Sequence, residues 1–119
     1  MTPTARALKH LRSLGYTAQV VEQNIRIPGK GIFKRDLFNC IDIVGVRAGV
    51  PVLGVQCTSH SNLSSRVKKC IENGQMWLAA GAQLEAWAFR KLKGHKDMQL
   101  DRRVIPLTAH DPTKGARDE

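Results

Sequence analysis

The feature that most constrains the fold is a pair of apolar runs separated by a short turn. Residues 36–46 and 52–58 are rich in aliphatic and β-branched side chains, and Arg-Ala-Gly-Val-Pro at residues 47–51 lies between them. Two such runs joined by five residues are typical of a β-hairpin. The pattern therefore predicts neighbouring antiparallel strands in the middle of the chain.

Periodicity elsewhere adds helices and further strands around this hairpin. Helices are predicted at residues 4–14, 63–73 and 76–80, and further strands at residues 16–22, 82–92 and 102–107. The strand, helix and strand from residue 52 to residue 92 imply one parallel crossover. We predict an α/β domain over residues 1–110, with a mixed central sheet flanked by helices in the order αβββαββ. The polar residues 111–119 predict a tail without fixed structure.

The charge of the folded body favours a polyanionic partner. The chain has 19 Lys and Arg against 10 Asp and Glu, and residues 1–110 hold 17 of these bases and 7 of these acids, a formal charge of +10. Such a surface attracts nucleic acid by counterion release. An anionic membrane is the rival partner, but no segment has the basic amphipathic form with bulky apolar anchors that membrane binding needs.

The apolar content indicates where the protein is located, and the spacing of the cysteines indicates whether they form disulfides or bind zinc. No stretch approaches 18 apolar residues and the N-terminus lacks an apolar signal region, so we expect a soluble, cytoplasmic protein. Cys40, Cys57 and Cys70 are widely spaced and lie in apolar runs. They fit small buried residues better than disulfides or a zinc site.

Residues 23–35 form a basic segment around Pro28, Gly29 and Gly31, and we predict a loop there. Its cations are Arg26, Lys30, Lys34 and Arg35. The glycines let the backbone approach a ligand closely, and the cations suit a phosphate backbone. The segment is therefore a candidate nucleic-acid contact, and the alternative is a solvated surface loop.

An acidic residue inside the first hairpin strand points to chemistry. Alternation places Asp42 on one face with Cys40 and Val44, and an isolated carboxylate is costly to bury without a partner. Gln56 and Thr58 share a face of the second strand, so Asp42, Gln56 and Thr58 are expected to converge. Their oxygens suit Mg²⁺ or Mn²⁺. The alternative is an Asp42 paired with a nearby Arg, with Gln56 and Thr58 bonded to backbone groups.

Several segments resemble the PD-(D/E)XK nuclease superfamily, and especially its archaeal-type Holliday junction resolvases and small phage nucleases. The similar segments are Ile41-Asp42-Ile43-Val44, Val52-Leu53-Gly54-Val55-Gln56, Gln56-Cys57-Thr58-Ser59 and Trp77-Leu78-Ala79-Ala80-Gly81-Ala82. The resemblance extends over most of the chain and implies a restriction-endonuclease-like fold. It also implies a Mg²⁺ cofactor for which Mn²⁺ can substitute, no small-molecule cofactor, a DNA substrate, a homodimer, and a bacterial or phage-infected host cell.

The resemblance assigns roles to three residues of the hairpin. Asp42 stands at the family's metal-binding Asp. Gln56 stands where the family has Glu, Asp or sometimes Gln, and its neutral oxygen is expected to hold a cation more weakly. Thr58 stands at the usual catalytic Lys and cannot supply an ammonium.

Some members of the superfamily carry this lysine on the following helix. Asn62, Arg66, Lys69 and Asn73 form one polar stripe at helical spacing. Lys69 is the candidate for the relocated lysine and Arg66 for a phosphate contact, whereas Lys68 lies on the other flank and is solvated or touches DNA remotely. The alternative is that these are ordinary surface cations.

Related nucleases also use a further acid near the start of the chain. Glu22 and Asp36 are equal candidates for this metal ligand, and the neutral Gln56 makes such a ligand more necessary. Asp36 instead has the option of capping a turn or pairing with Arg35.

The few aromatic residues give two further expectations. Alternation over residues 82–92 places Trp87 and Phe89 on one strand face, which fits either core on both sides of the sheet or a dimer interface. Aromatic residues make up only 5% of the chain, so no stacking platform for RNA is expected.

Taken together, the residues and the resemblance predict a Mg²⁺-dependent endodeoxyribonuclease acting on branched DNA. One alternative is a catalytically weak or inactive nucleic-acid-binding module of the same fold. The other is a nuclease that acts on single strands, flaps or restriction-type sites.

Overall fold

Seven strands form two sheets in the computed structural model, which describes residues 1–108. The strands are β1 (Thr17–Val20), β2 (Gln23–Ile27), β3 (Gly31–Arg35), β4 (Ile43–Val46), β5 (Leu53–Ser59), β6 (Gln83–Lys91) and β7 (Met98–Val104). The main sheet has the order β1-β4-β5-β6-β7, and β2 pairs with β3 alone. The tail predicted at residues 111–119 lies outside the described residues.

The main sheet is mixed, with one parallel pair. β4 pairs antiparallel with β1 and β5, and β6 pairs parallel with β5 and antiparallel with β7. The predicted α/β class, the central hairpin and the parallel crossover are therefore confirmed. β7 begins before the predicted residues 102–107, because it pairs with β6 from Glu85 to Lys91.

Three helices flank the sheet within the described residues. They are α1 (Pro3–Ser13), α2 (Leu63–Asn73) and α3 (Gln75–Ala79), and a 3₁₀ turn at His60–Asn62 precedes α2. The Thr2 hydroxyl caps α1 by accepting a hydrogen bond from the Ala5 N–H at 3.1 Å. None of these helices is both long and apolar enough to cross a membrane.

Apolar side chains pack on both faces of the main sheet. The cluster beneath α2 contains Cys40, Ile41, Leu63, Cys70, Leu84, Ala86, Ala88 and Ile105. The cluster beneath α1 contains Ala7, Leu11, Ala18, Ile43, Leu53, Val55 and Trp87. Alternation along β6 supplies both clusters, as the sequence predicts.

Trp87 is fully buried between the main sheet and α1. Its indole N–H donates to Glu85 Oε1 at 2.9 Å, and Arg102 donates to both Glu85 oxygens, at 2.8 and 3.1 Å. The buried carboxylate thus has the partners that its burial requires. Because α1 covers Trp87 within one chain, the dimer-interface interpretation is wrong for this side chain and the core interpretation is right.

Residues 23–35 form a β-hairpin instead of the predicted loop. Pro28 and Gly29 occupy the centre of its turn, where the Lys30 N–H donates to Ile27 O at 2.9 Å and Gly29 has a φ of 78°. Pro followed by Gly suits a turn that needs a positive φ at its third residue. These turn residues mask the alternation of polar and apolar side chains in the flanking strand Gln23–Ile27.

The strand predicted over residues 36–46 begins only at Ile43. Phe38 and Asn39 have φ values of 52° and 62°, and the Cys40 N–H donates to Leu37 O at 3.1 Å. Two consecutive positive φ values inside such a bond are the geometry of a type I′ turn, which reverses the chain. Cys40 therefore lies in the same cluster as Ile41. Alternation predicts instead that these two side chains lie on opposite faces of the strand.

Candidate metal centre

Backbone hydrogen bonds fix Asp42 where β1, β4 and β5 meet. Asp42 immediately precedes β4, and its N–H donates to Val55 O at 2.9 Å while its carbonyl accepts from the Val21 N–H at 2.8 Å. These bonds continue the ladders toward β1 on one side and β5 on the other. The carboxylate therefore has a defined position at the start of β4, between β1 and β5.

The Asp42 carboxylate is buried, with 3% of the residue exposed. Its Oδ2 accepts hydrogen bonds from the Cys57 backbone N–H at 2.7 Å and from Gln56 Nε2 at 2.5 Å. Within residues 1–108 no ion pair joins Asp42 to an arginine. Among these residues the structure does not show the alternative of an arginine-paired Asp42.

Gln56 bonds the acids through its nitrogen and leaves its carbonyl oxygen unpaired. Nε2 lies 2.5 Å from Asp42 Oδ2 and 3.5 Å from Asp36 Oδ2, whereas the buried Oε1 has no hydrogen-bond partner among the described residues. A buried acceptor without a partner costs about 1–3 kcal/mol. The two ends of the amide have nearly the same shape, so a rotated Gln56 would present Oε1 to a cation beside Asp42.

Two further acids converge on Asp42. One carboxylate oxygen each from Glu22, Asp36 and Asp42 lies within 4.8 Å of the others. Glu22 follows Val21, whose N–H bonds to Asp42, and Asp36 directly follows β3. The structure thus brings together both candidates for the third acid. Three carboxylates and an amide oxygen are the ligand types that Mg²⁺ and Mn²⁺ prefer, so these residues fit such an ion.

Helix α2 adds cations beside the acids. Lys69 Nζ lies 3.4 Å from Asp36 Oδ2. Arg66, nearly one helical turn earlier, lines the cavity that also contains Asp36 and Asp42. Lys68 is exposed and does not line it. The structure therefore brings Lys69 and Arg66 to the acids and leaves Lys68 on the other flank of the helix.

Thr58 does not lie with Asp42 and Gln56, although the hairpin pattern predicts that the three converge. It is buried on β5 opposite Ala88, and it does not line the cavity that contains Asp42 and Gln56. The bond from the Asp42 N–H to Val55 O sets the register, which places Gln56 and the Cys57 N–H beside Asp42. Thr58 lies two residues beyond Gln56, about 7 Å further along the strand.

These side chains surround a solvent-accessible cavity of about 460 Å³. Its lining combines the acids with cations, polar groups and the start of α1: Thr2, Pro3, Thr4, Glu22, Lys34, Asp36, Asn39, Asp42, Gln56, Cys57, Arg66 and Lys69. Carboxylates can hold a divalent cation, and Lys and Arg beside them attract phosphate. The cavity therefore suits an anionic ligand that also contacts a bound cation.

Asp42 and Asp36 are hydrogen-bonded to each other, so the protonation of one depends on the other. Burial and the hydrogen bond with Asp36 raise the pKa of Asp42 from 3.8 to about 7. Burial also acts to raise the pKa of Asp36, but the hydrogen bond with Asp42 and the ammonium of Lys69 hold it below its usual range. Since neighbouring carboxylates repel each other, the pair is readily neutralised by a proton or by a cation.

The register of the β2–β3 hairpin divides its cations between two faces. Lys34 lines the cavity and pairs with Asn24, which is two residues before Arg26. Directly opposed residues, and residues two apart on a strand, share a face, so Arg26 lies on the same face as Lys34. Arg35 falls on the other face, and Lys30 lies in the turn.

Sequence patterns do not indicate two of the groups that form the cavity. One is the Cys57 N–H, which binds Asp42, and a backbone group has no signal in the sequence. The other is Asn39, which the turn at residues 37–40 places at the cavity. Asn tolerates positive φ, so Asn39 inside an apolar run was the available sign of this turn.

Comparison of the chain with protein-family models, curated proteins and solved structures found no match.

Proposed function

We propose that this protein is a metal-dependent endodeoxyribonuclease of the PD-(D/E)XK type, with branched DNA as its preferred substrate. One observation carries the proposal: three carboxylates converge within 4.8 Å in a cavity that is edged by cations. On a chain with a net charge of +9, this combination suits a cation that bridges protein and phosphate. The five-stranded mixed sheet between helices supports a restriction-endonuclease-like fold.

Asp42, the Gln56 amide oxygen and one or both of Glu22 and Asp36 would hold Mg²⁺ or Mn²⁺. An ion bound there supplies Lewis acidity, which polarises the scissile phosphate and acidifies the attacking water. The Cys57 N–H keeps the Asp42 carboxylate in one orientation through its 2.7 Å hydrogen bond. This anchoring lets Asp42 act as the fixed ligand of the site.

Lys69 takes the role of the lysine that the superfamily places where this chain has Thr58. The ion pair with Asp36 holds its ammonium at the side of the acids. There it would offset the negative charge that develops on the phosphate during in-line hydrolysis. Arg66, on the same helix, would bind the phosphate through its forked guanidinium.

A homodimer is part of this proposal, because a four-way junction has two-fold symmetry and needs two matching incisions. Sedimentation of the protein with and without a junction measures this directly. A monomer bound to one arm would contradict the resolvase form of the proposal.

The alternative function is a nucleic-acid-binding module of the same fold with little or no activity. Gln56 favours it, because a neutral amide stands where the superfamily usually has Glu or Asp. A second alternative is a nuclease with another DNA substrate, such as single strands, flaps or restriction-type sites.

Cleavage of end-labelled DNA separates these functions. A four-way junction, a flap, a duplex and a single strand are each incubated with Mg²⁺ or Mn²⁺. We expect paired incisions in the junction, loss of cleavage in Asp42→Asn, and lower kcat in Lys69→Ala than in the neighbouring control Lys68→Ala. Equal cleavage by Asp42→Asn and the wild type would contradict the mechanism. Salt-sensitive binding without cleavage would favour the binding module. Cleavage confined to flaps or single strands would favour a nuclease with another DNA substrate.

A further inference from the structure

An apolar cleft lies between the turn at residues 37–40 and the helices α2 and α3. It has a volume of about 250 Å³ and is lined by Phe38, Asn73, Met76, Trp77 and Ala80. Phe38 and Met76 are 60% and 55% exposed. The rings of Phe38 and Trp77 have centroids 6.1 Å apart and are inclined by 51°, so they do not stack in parallel on each other. The cleft therefore presents aromatic surface to solvent.

The backbone holds Phe38 outward at an energetic cost. Its φ of 52° lies in the left-handed region, which an aromatic residue rarely adopts and which costs about 1–3 kcal/mol. Asn or Gly would form the same type I′ turn with less strain. Burial does not offset this cost, because Phe38 is largely exposed. An aromatic ring kept in a strained and exposed position points to a ligand that contacts it.

Trp77 forms the fixed wall of the cleft. Its indole N–H donates to Gln83 O at 2.7 Å, and the ring lies over Gly54, where a Cβ would come within 3.2 Å of the indole nitrogen. Glycine at this position lets the ring lie close to β5. A ring that is already held in place loses little conformational freedom when a ligand binds.

Residues that line the cleft adjoin residues of the acidic cavity along the chain. Phe38 lies in the turn between Asp36 and Asn39, which both line that cavity, and Asn73 Nδ2 donates to Lys69 O at 3.0 Å. Gly54 beneath Trp77 is two residues from Gln56 on the same strand face, about 7 Å away.

We propose that Phe38 and Trp77 form a stacking site for an unpaired nucleobase of the DNA strand whose phosphate enters the acidic cavity. This rests on the proposed nuclease function and deepens it, because a base inside a duplex is already stacked on both faces. The substrate class is then branched DNA in which the nucleotides beside the cleaved bond, at the branch point, are unpaired. The low aromatic content does not prevent such a site, since two rings are sufficient. The positive charge of the chain supplies the attraction for the strand.

Binding in EDTA tests the stacking site without cleavage. Fluorescence anisotropy compares a 12-nucleotide oligothymidylate with a base-free strand of the same number of phosphates and with a 12-base-pair duplex. We expect the wild type to prefer oligothymidylate over the base-free strand by about fivefold to a hundredfold, the usual range for stacking on an aromatic side chain. Phe38→Ala should lose most of this preference and bind the base-free strand as the wild type does.

Three variants make the result specific to an aromatic face. Phe38→Tyr should keep the preference, Phe38→Leu should lose it, and Val104→Ala, at an exposed apolar position on β7, should leave it unchanged. If Phe38→Ala weakens the binding of oligothymidylate and of the base-free strand equally, or weakens neither, the proposal is overturned. Tighter binding of oligouridylate, lost in the same variant, would overturn its assignment to DNA. Absence of Mg²⁺-dependent cleavage with an intact base preference would contradict the nuclease function alone.

A stability measurement excludes a merely structural role for Phe38. Phe38→Asn relieves the left-handed backbone, so its Tm should equal or exceed that of the wild type while the base preference falls. A marked drop in Tm would assign Phe38 to the packing of the fold and overturn the proposal.

Discussion

At the scale of the residue, the protonation of Asp42 is coupled to folding. Its pKa is 3.8 in an unfolded chain and about 7 in the folded protein. The folded state therefore binds the proton more tightly, and this contribution to stability is present below pH 3.8 and lost as pH rises through 7. The lowered pKa of Asp36 acts in the opposite direction, but only below its ordinary value of 3.8.

The ion-free protein should accordingly lose stability between about pH 4 and pH 7 relative to Asp42→Asn, which has no charge to gain. Denaturant unfolding in EDTA measures the difference between the two proteins. Mg²⁺ should raise the Tm of the wild type more at pH 8 than at pH 5.5, since it competes with the proton on Asp42, and should not raise the Tm of the variant. A Mg²⁺ effect of the same size in both proteins would contradict a site at Asp42.

The strength of the proposed cation site should depend on Gln56. Gln56→Glu adds a carboxylate beside Asp42, so the Kd for Mg²⁺ should fall about tenfold, a gain of about 1.4 kcal/mol. The same variant should be less stable than the wild type without metal at neutral pH, because another negative charge then faces Asp42 and Asp36. Titration calorimetry and denaturant unfolding measure the two effects. Gln56→Met is the control of similar shape, and equal Mg²⁺ affinity in all three proteins would show that Gln56 is not a ligand.

At the scale of the element, the β2–β3 hairpin brings charge to the site from outside the main sheet. All of its residues except the half-buried Ile25 are exposed, so substitutions there are expected to alter binding more than folding. Its register places Arg26 and Lys34 on the face toward the cavity. In the proposed function, the hairpin would form one arm of the nucleic-acid surface and α2 the other.

Charge reversal on the two faces of the hairpin tests this arrangement. Arg26→Glu and Lys34→Glu should each weaken DNA binding several-fold more than Arg35→Glu, which changes the net charge equally on the opposite face. Circular dichroism and Tm confirm that each variant folds, and anisotropy measures the Kd at fixed salt. Equal weakening by all three reversals would indicate that net charge alone matters and would contradict the proposed orientation.

At the scale of the whole molecule, the positive charge should appear as a salt dependence of binding. Arg26, Lys34, Arg66 and Lys69 give four candidate phosphate contacts, so log K against log salt for duplex DNA should have a slope of about −4, at about −0.9 per contact. Arg66→Ala should reduce the slope by about one, and Lys68→Ala should leave it nearly unchanged. A slope near zero would contradict a nucleic-acid partner.

Local patterns were sufficient for several parts of the molecule. The helix Leu63–Asn73, the β4–β5 hairpin and the alternation along β6 follow from side-chain periodicity, which depends only on nearby residues. The same patterns failed at Gln23–Ile27 and at the turn containing Phe38, where turn residues and a rare backbone conformation interrupt the period. Local reasoning therefore predicted the mixed sheet and missed the second hairpin.

The sequence by itself determined the α/β class, the excess of positive charge and the need for Asp42 to find a partner, because each follows from composition or periodicity. Only the tertiary structure decided which partners it has. The backbone hydrogen bond from Val21 to Asp42 brings Glu22 near the Asp42 carboxylate, and the turn after β3 brings Asp36 there. The register between Asp42 and β5 places Gln56, and not Thr58, in the same cavity. These contacts join residues distant in sequence, and their geometry depends on the pairing of whole strands, which no local pattern specifies.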